Sequence, residues 1–249
     1  MRNLFNILPN ISLLFNSENA VIHTKTNPVL IVVDLHGDLN ALQLALQKRS
    51  DLNCDTVILL GDYIDRGPLE VLERLFSLKM EEPDNIILLR GNHELRETNR
   101  FEGLFRDLDH NEDLYARLNQ VFDTMPVAAV ISDKIFCVHG GIPGPVKLSD
   151  ITKSGVYPYV WNDPSEEDGI NISSRGLGMR TFGEDVLVEF LRLNGLERMI
   201  RGHSVVENGY RWWFGGKLLS LFSAFDHGGT GNEAAVAVVE GNGIELYNL

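Results

Sequence analysis

Three apolar runs, each ending in polar residues, constrain the fold of this chain more than any other feature of its sequence. The runs span 29–33, 56–60 and 86–89, and their aliphatic, largely β-branched composition predicts strands that are buried on both faces. Segments with helical spacing of apolar residues, beginning at Asp38 and Leu69, lie between them. Strand and helix therefore alternate, which predicts a βαβαβ unit with parallel strands and right-handed crossovers.

Polar residues at the ends of these strands should meet at one edge of the sheet. Asp34 follows the first run, Asp62 the second and Asn92 the third, at separations of 28 and 30 positions. These separations are close to one βαβ unit of roughly 30 residues. The carboxyl edge of a parallel sheet is where ligands bind in open α/β folds. We therefore expect a polar site at this edge.

Beyond this unit, the sequence predicts further hairpins, helices and long loops. Composition supports a single domain over 1–249, because 249 residues that are 44% hydrophobic and 23% charged can bury a full core. The segment 1–27 is expected to be a short helical or irregular lead-in. The later expected segments are a charged helical region (101–124), a hairpin turning at Ser132 and Asp133 (127–138), long loops (143–182), a helix (183–196) and a final hairpin around 241–243.

The charge and the apolar segments exclude several classes of function. A net charge of −13 and a pI of about 4.9 argue against a general nucleic-acid binder, because phosphate backbones attract clustered Lys and Arg. No apolar run approaches the ~20 residues that span a bilayer. Asparagines interrupt the apolar stretch at the N-terminus, which argues against an export signal. Cys54 and Cys137 form no C-x-x-C pair, which favours a reducing compartment. We therefore expect a cytoplasmic protein that binds neither membranes nor nucleic acid.

Six polar residues that follow predicted strands or stand near glycines form the candidate site. One histidine after a strand would usually be a core or surface residue with satisfied hydrogen bonds, but six such residues together are harder to explain in that way. Buried carboxylates cost desolvation free energy unless something compensates, and two divalent cations would do so. Oxygen and imidazole ligands without thiolate suit Mn²⁺, Fe or Zn²⁺, of which we take Mn²⁺ as the expected ion. Asp62 is expected to bridge the two ions at about 3.5–4 Å. The six residues are Asp34, His36, Asp62, Asn92, His139 and His203.

Short motifs follow one another in a fixed order across 28–240. They are VDLHG at 33–37, GDYIDRG at 61–67, GNHE at 91–94, HGG at 139–141, WNDP at 161–164, RGLG at 175–178 and RGHS at 201–204. This order resembles the PPP family of serine/threonine phosphoprotein phosphatases, within the calcineurin-like metallophosphoesterase superfamily, as a compact catalytic domain of prokaryotic type. The resemblance implies an α/β metallophosphoesterase fold, with a central β-sandwich of mixed sheets flanked by helices and a βαβαβ core that carries the metal site.

The resemblance implies two divalent metal ions with overlapping ligand sets. A water or hydroxide that bridges the ions would attack phosphorus in line, without a covalent phosphoenzyme. The implied ligands are Asp34, His36 and Asp62 for one ion, and Asp62, Asn92, His139 and His203 for the other.

The resemblance also implies which residues handle the phosphoryl group. Arg66 and Arg175 would clamp the phosphoryl oxygens with their forked donors, and Asn92 would donate a further hydrogen bond to phosphate. His93, oriented by Asp65, would protonate the leaving serine or threonine oxygen. A surface salt bridge is the alternative interpretation for either arginine.

Two positions depart from the family pattern. Val33 stands where the motif GDxHG begins with glycine, and it extends the strand before the ligand position. His227 stands where the family has a tyrosine beside the substrate, so it is either a substitute polar contact or a solvated loop residue. Near this site, Trp161 is expected to pack against the loop rather than to touch substrate, and Asp163 to order that loop.

Three functions follow from these patterns. A phosphatase acting on phosphorylated proteins or peptides is favoured, because the stretch from Arg175 through 201–210 to Ser223 resembles protein phosphatases more than their nucleotide-cleaving relatives. A dinucleoside polyphosphate hydrolase, or another small-molecule phosphoesterase, would use the same fold and metals. A non-enzymatic binding scaffold would be supported by the loss of a ligand, but all six are present. Regulatory subunits cannot be inferred, and the acidic charge favours phosphosites with basic neighbours.

Overall fold

Two β-sheets packed face to face form the centre of this computed structural model, which describes residues 2–25 and 28–249. Helices cover the outer faces of both sheets, as predicted for an α/β sandwich. Positions 1, 26 and 27 of the predicted lead-in lie outside the described residues. The α-helices are α1 (Arg2–Ser17), α2 (Leu39–Asp51), α3 (Glu70–Glu81), α4 (Arg96–Glu102), α5 (Leu104–Asp107), α6 (Glu112–Phe122), α7 (Tyr157–Trp161) and α8 (Glu184–Asn194).

The strands fall into the two large sheets and one small sheet. They are β1 (Val21–Thr24), β2 (Val29–Val32), β3 (Thr56–Leu59), β4 (Ile86–Leu88), β5 (Ala128–Ile131), β6 (Ile135–Val138), β7 (Asp163–Pro164), β8 (Ile170–Ile172), β9 (Arg180–Phe182), β10 (Arg198–Arg201), β11 (Tyr210–Trp213), β12 (Leu218–Leu221), β13 (Ala235–Glu240) and β14 (Gly243–Asn248).

The five-stranded sheet contains the predicted βαβαβ unit. Its order is β14-β13-β2-β3-β4, and β2, β3 and β4 run parallel, with α2 and α3 as the crossovers. The pairing of β13 with β14 confirms the predicted final hairpin. Because β2, β3 and β4 point the same way, the residues that follow them arrive at a common edge.

The six-stranded sheet delivers the later part of the site to that edge. Its order is β1-β5-β6-β10-β12-β11, and β6 lies parallel to β10 with Val138 opposite Arg201. The residues that follow these two strands are therefore neighbours. The hairpin of β5 and β6 turns as predicted, with positive φ at Ser132 (51°) and Asp133 (57°).

An apolar layer between the two sheets holds the sandwich together. Val29 and Ile31 of β2 pack into this layer, where Ile200 of β10 also lies. Leu30 and Val32 pack on the opposite face, beneath the helices. Burial on both faces explains the continuous apolar run of β2, and each fully buried aliphatic side chain stabilises the fold by about 1.5–3 kcal/mol.

Local sequence explains where the helices begin and end. Asp38 precedes α2, and its Oδ1 accepts a hydrogen bond from the N–H of Ala41 at 2.9 Å. Gly195 ends α8 in the left-handed conformation, with φ of 67°. None of the described helices combines the length and apolar character needed to cross a bilayer.

Two segments contain more structure than the sequence predicts. The lead-in forms α1 and also β1, which pairs in parallel with β5. The predicted long loops hold α7 and the small sheet of order β7-β9-β8. Apart from α1, these elements have two to five residues each, so their hydrophobic periodicity is too short to reveal them. The strands among them are defined by pairing with other strands.

Candidate metal centre

Strand ends bring all six predicted ligands to one edge of the sandwich, where every one of them is buried. In the five-stranded sheet, one or two of these ligands follow each of the strands β2, β3 and β4. In the six-stranded sheet, His139 follows β6 and His203 follows β10. Four of the six have positive φ, a conformation that is uncommon for residues other than glycine and that clusters at functional sites. These four are Asp34, His36, Asp62 and His203, with φ of 47°, 45°, 57° and 69°.

One cluster brings ring nitrogens of two histidines and the oxygen of an amide together. Oδ1 of Asn92 lies 2.9 Å from Nε2 of His139 and 2.8 Å from Nδ1 of His203, and these two nitrogens are 3.3 Å apart. Nδ1 of His139 is directed at the carbonyl oxygen of Leu60, 2.9 Å away, and must donate the hydrogen there. Burial lowers the pKa of His139 to about 4, with partial compensation by Asp62, so its ring is neutral and Nε2 carries a lone pair.

A second cluster lies on the other side of Asp62. Nδ1 of His36 faces the carbonyl oxygen of Ile64 at 3.2 Å, which leaves Nε2 facing Oδ2 of Asp62 at 3.5 Å. Burial, aided by His93, holds the pKa of His36 well below its ordinary value, so this ring is also neutral. Oδ1 of Asp62 lies 3.5 Å from Nε2 of His139. Asp62 therefore stands between the two clusters and offers one oxygen to each.

Asp34 supplies a buried carboxylate without full hydrogen bonding. Its Oδ2 accepts a hydrogen bond from the N–H of His203 at 2.8 Å, whereas its Oδ1 has no partner among the described residues. Burial and the nearby carboxylate of Asp62 raise the pKa of Asp34 well above its ordinary value. An ionised Asp34 in this position requires a positive charge that the protein side chains only partly supply.

These clusters fit divalent cations. The Nε2 lone pairs of His36 and His139 face a carboxylate oxygen and an amide oxygen, and such acceptor pairs repel unless a cation lies between them. Two groups of potential ligands satisfy the spacing needed to hold an ion, and they share Asp62: His36, Asp62 and His93, and Asp62, His139 and His203. The set contains oxygen and nitrogen atoms without sulfur, which suits Mn²⁺, Fe or Zn²⁺.

His93 differs from the other histidines because its ring is held by a carboxylate. Its Nδ1 lies 2.7 Å from Oδ2 of Asp65, whose Oδ1 accepts the N–H of Leu104 at 2.7 Å. Burial acts to lower the pKa of His93, but Asp62, Asp65 and Glu94 outweigh burial and raise it to about 9. A ring that retains a proton suits a proton donor better than a metal ligand.

The two predicted phosphate-binding arginines line a cavity of about 470 Å³ beside these clusters. Arg66 contacts the ring of His227 and lies 3.5 Å from Oε2 of Glu102. Nη2 of Arg175 donates to Oγ of Ser204 at 2.9 Å, and its Nε donates to Asp163. Both guanidinium groups are partly exposed, so phosphate oxygens can reach them in exchange for these partners.

Trp161 and His227 also line this cavity. The indole ring of Trp161 meets the ring of His203 edge to face, with centroids 5.4 Å apart. The ring of His227 lies 4.6 Å from that of His36. The structure therefore places His227 inside the site, which favours the polar-contact interpretation over a solvated loop residue.

Two acids of the site did not emerge as functional residues from the sequence. Glu94 accepts the backbone N–H groups of Asp62, Tyr63 and Gly91 at 2.8–2.9 Å, which fixes the turns that carry the ligands. The sequence could have indicated this role, because Glu94 is the last residue of the GNHE motif. Glu102 also lines the cavity. Its position one helical turn after Thr98, another residue of the cavity wall, was the one signal for this location.

A sandwich of mixed sheets with two histidine–aspartate clusters at one edge defines a metal-dependent hydrolase, and comparison with known proteins agrees. The family described as calcineurin-like phosphoesterase matches residues 28–207. The chain is 33% identical to the serine/threonine-protein phosphatase 4 catalytic subunit of Kluyveromyces lactis, over 95% of this chain and 82% of that protein. It is 34% identical to the protein of the same name from Candida glabrata, over 95% of this chain and 81% of that protein.

A solved structure supports the same relationship. It is a protein serine/threonine phosphatase from Saccharomyces cerevisiae, described as similar to human phosphatase PP5, with a TM-score of 0.88 and 25% identity over 98% of this chain and 88% of that chain. The chain belongs to the calcineurin-like phosphoesterase family, in its PPP branch of serine/threonine phosphoprotein phosphatases. The family implies divalent metal ions. All three proteins come from yeasts, so these likenesses lend no support to a prokaryotic type.

Proposed function

We propose that this protein is a serine/threonine phosphoprotein phosphatase that hydrolyses phosphomonoesters at a centre of two divalent metal ions. One observation carries the proposal: a cluster that contains His36 and a cluster that contains His139 and His203 share Asp62, and they border a cavity that two arginines line. The names of the relatives support phosphoserine and phosphothreonine in proteins as the substrates.

The two clusters serve as the metal sites in this proposal, with Mn²⁺ as the expected ions. When bound, the ions would polarise the phosphoryl group and lower the pKa of the water that attacks phosphorus. The unsatisfied Oδ1 of Asp34 supports a role as ligand, because an ion would supply the partner that the described residues do not. The proposed ligands are Asp34, His36 and Asp62 for one ion, and Asp62, Asn92, His139 and His203 for the other.

The arginines bind and orient the phosphoryl group. Arg66 and Arg175 approach the cavity from separate segments, so their donors can hold different phosphoryl oxygens. Asn92 lines the same cavity, and its amide nitrogen supplies a further donor. Fixing the phosphorus atom in this way converts the reaction into one between prepositioned groups.

His93 transfers the proton that the leaving group needs. The hydrogen bond from Nδ1 to Asp65 orients the ring and leaves Nε2 as the atom that donates to the serine or threonine oxygen. Both cysteines in the described part of the chain are buried and unpaired, which is compatible with the reducing cytoplasm that we propose as the compartment.

The test compares two substrates on one protein. With Mn²⁺, the protein should hydrolyse a phosphoserine or phosphothreonine peptide with a higher kcat/KM than a dinucleoside tetraphosphate. Asp62→Asn should abolish turnover of both, whereas Asp133→Asn, an exposed acid of the β5–β6 turn, should not. A higher kcat/KM for the dinucleoside compound would favour a nucleotide hydrolase, and metal-independent turnover or none at all would contradict the proposal.

A further inference from the structure

Glu102 places a carboxylate in the wall of the catalytic cavity. It is the last residue of α4, its side chain is 44% exposed, and its Oε2 lies 3.5 Å from Nη2 of Arg66. The C-terminal end of a helix carries partial negative charge, which strengthens the negative potential at this position. The resulting ion pair holds a proposed phosphate-binding arginine while the site is free of substrate.

Glu102 differs from the other charged residues of this cavity. Of the described residues that line it, the acids are Asp62 and Glu102, and Asp62 is buried between the proposed metal sites. The partly exposed cations of the lining are Arg66 and Arg175. A substrate side chain that enters the cavity beside the phosphorylated residue therefore meets one accessible carboxylate, at Glu102.

Binding of phosphate changes the partner of this carboxylate. A phosphate dianion competes with Glu102 for Arg66, because forked donors prefer the more highly charged, bidentate acceptor. Two other nearby arginines have acidic partners of their own, since Arg100 pairs with Glu112 at 2.9 Å and Arg106 with Asp107 at 3.2 Å. Glu102 is then left near bound phosphate, and the repulsion between them is relieved by a cation on the substrate.

We propose that Glu102 is a specificity-determining residue that selects substrates with lysine or arginine beside the phosphorylated serine or threonine and disfavours those with an acidic neighbour. The inference rests on the proposed phosphoprotein phosphatase function, and it assigns the preference for basic residues beside the phosphorylated residue to Glu102. A like-charge neighbour discriminates against a substrate as effectively as an attractive contact selects one.

The experiment uses sets of phosphoserine peptides. The peptides of one set differ only in carrying Arg, Gln or Glu at a single position, and the sets cover each position from two before to two after the phosphoserine. In the unmodified protein, kcat/KM should fall in the order Arg, Gln, Glu at one or more of these positions. The steps should be roughly two- to fivefold, as for a partly exposed ion pair, and should shrink at high salt. Glu102→Gln should remove the preference, and Glu102→Lys should invert it.

Glu197→Gln is the matched control. Glu197 is 46% exposed and pairs with Lys134 at 2.7 Å, so the charge change and the exposure match those of Glu102, but it precedes β10, at the opposite end from His203. This variant should keep the preference of the unmodified protein. A preference that survives in Glu102→Gln, or that is lost equally in Glu197→Gln, would overturn the assignment.

Two further outcomes separate this inference from the proposed function. If all peptides are hydrolysed at equal kcat/KM, the phosphatase function stands and the role of Glu102 is wrong. If none is hydrolysed, the proposed function fails, and the inference fails with it.

Discussion

Nε2 of His139 faces Oδ1 of Asn92 at 2.9 Å, although both atoms are acceptors when the Nδ1 hydrogen of His139 is donated to Leu60. Nδ1 of His203 approaches the same oxygen at 2.8 Å. The fold therefore holds these side-chain atoms in place for a cation. Metal binding should accordingly stabilise the folded protein, and the gain in stability can be measured without any assay of catalysis.

Mn²⁺ should raise the thermal midpoint of chelator-treated protein. A ligand at about 100 times its Kd stabilises the folded state by about 2.7 kcal/mol. Asp62→Asn should abolish this stabilisation, because Asp62 faces both clusters. Without metal, the variant loses both the repulsion between Asp62 and Asp34 and the attraction between Asp62 and His93, so the midpoints of the two chelator-treated proteins give the baseline for the comparison. Equal stabilisation of both proteins by Mn²⁺ would indicate nonspecific binding.

His93→Asn should separate chemistry from metal binding. We expect kcat on a phosphoserine peptide to fall by about 10²–10⁴-fold, the usual contribution of a general acid. The loss should be smaller with p-nitrophenyl phosphate, whose leaving group needs little protonation. Metal analysis should find the content of the unmodified protein, which serves as the internal control. Equal losses on both substrates would assign His93 a different role.

Gly202→Ala should damage the site without removing any proposed ligand. A Cβ at Gly202 would lie 2.3 Å from Oδ2 of Asp34, the atom that accepts the N–H of His203. The carboxylate must move, so we expect metal affinity to fall about 10–100-fold, as when a partner of a ligand is lost. Titration of activity with Mn²⁺ measures this, and circular dichroism checks the fold. An unchanged activation curve would mean that Asp34 is not a ligand or can relax at no cost.

Much of the fold and the location of the site could be predicted, because both depend on local signals. The strands β2, β3 and β4 are short runs of aliphatic or β-branched residues, and Asp34 and Asp62 follow two of them at the spacing of a βαβ unit. Asp38 and Gly195 mark helix ends through their own backbone and side-chain preferences. The predicted metal roles stay predictions that the experiments above address, and the single domain over 1–249 stays a prediction.

The contacts around the site could not be predicted, because they join residues that are distant in the sequence. Arg66 contacts His227, which lies 161 positions away, and no periodicity encodes that pair. The strand β1 has four residues and exists through its pairing with β5. The predicted long loops hide the small sheet, in which Asp163 begins β7 and pairs with two arginines.

Asp163→Asn should destabilise the protein in a way that depends on pH. Nη2 of the fully buried Arg201 donates to Oδ1 of Asp163 at 2.8 Å, and Arg175 pairs with the same carboxylate. Breaking a buried ion pair costs about 3–5 kcal/mol, because the remaining charge stays buried without the carboxylate that is paired with it. Urea unfolding at pH 7 in the presence of a chelator should show this loss. Asp133→Asn, which changes an exposed acid, should stay within about 0.5 kcal/mol of the unmodified protein.

The pH dependence follows from the direction of the pKa shift. Burial alone would raise the pKa of Asp163, but the charges of Arg201 and Arg175 outweigh burial and hold it below the ordinary value of 3.8. A carboxyl group with a lowered pKa in the folded state contributes its full stability above 3.8 and loses it as the pH falls through the folded value. The difference in unfolding free energy between Asp163→Asn and the unmodified protein should therefore be constant from pH 7 to about 5 and shrink below pH 3.8. A difference that stays the same at pH 3 would mean that the lost hydrogen-bond geometry, and not the charge of Asp163, stabilises Arg201.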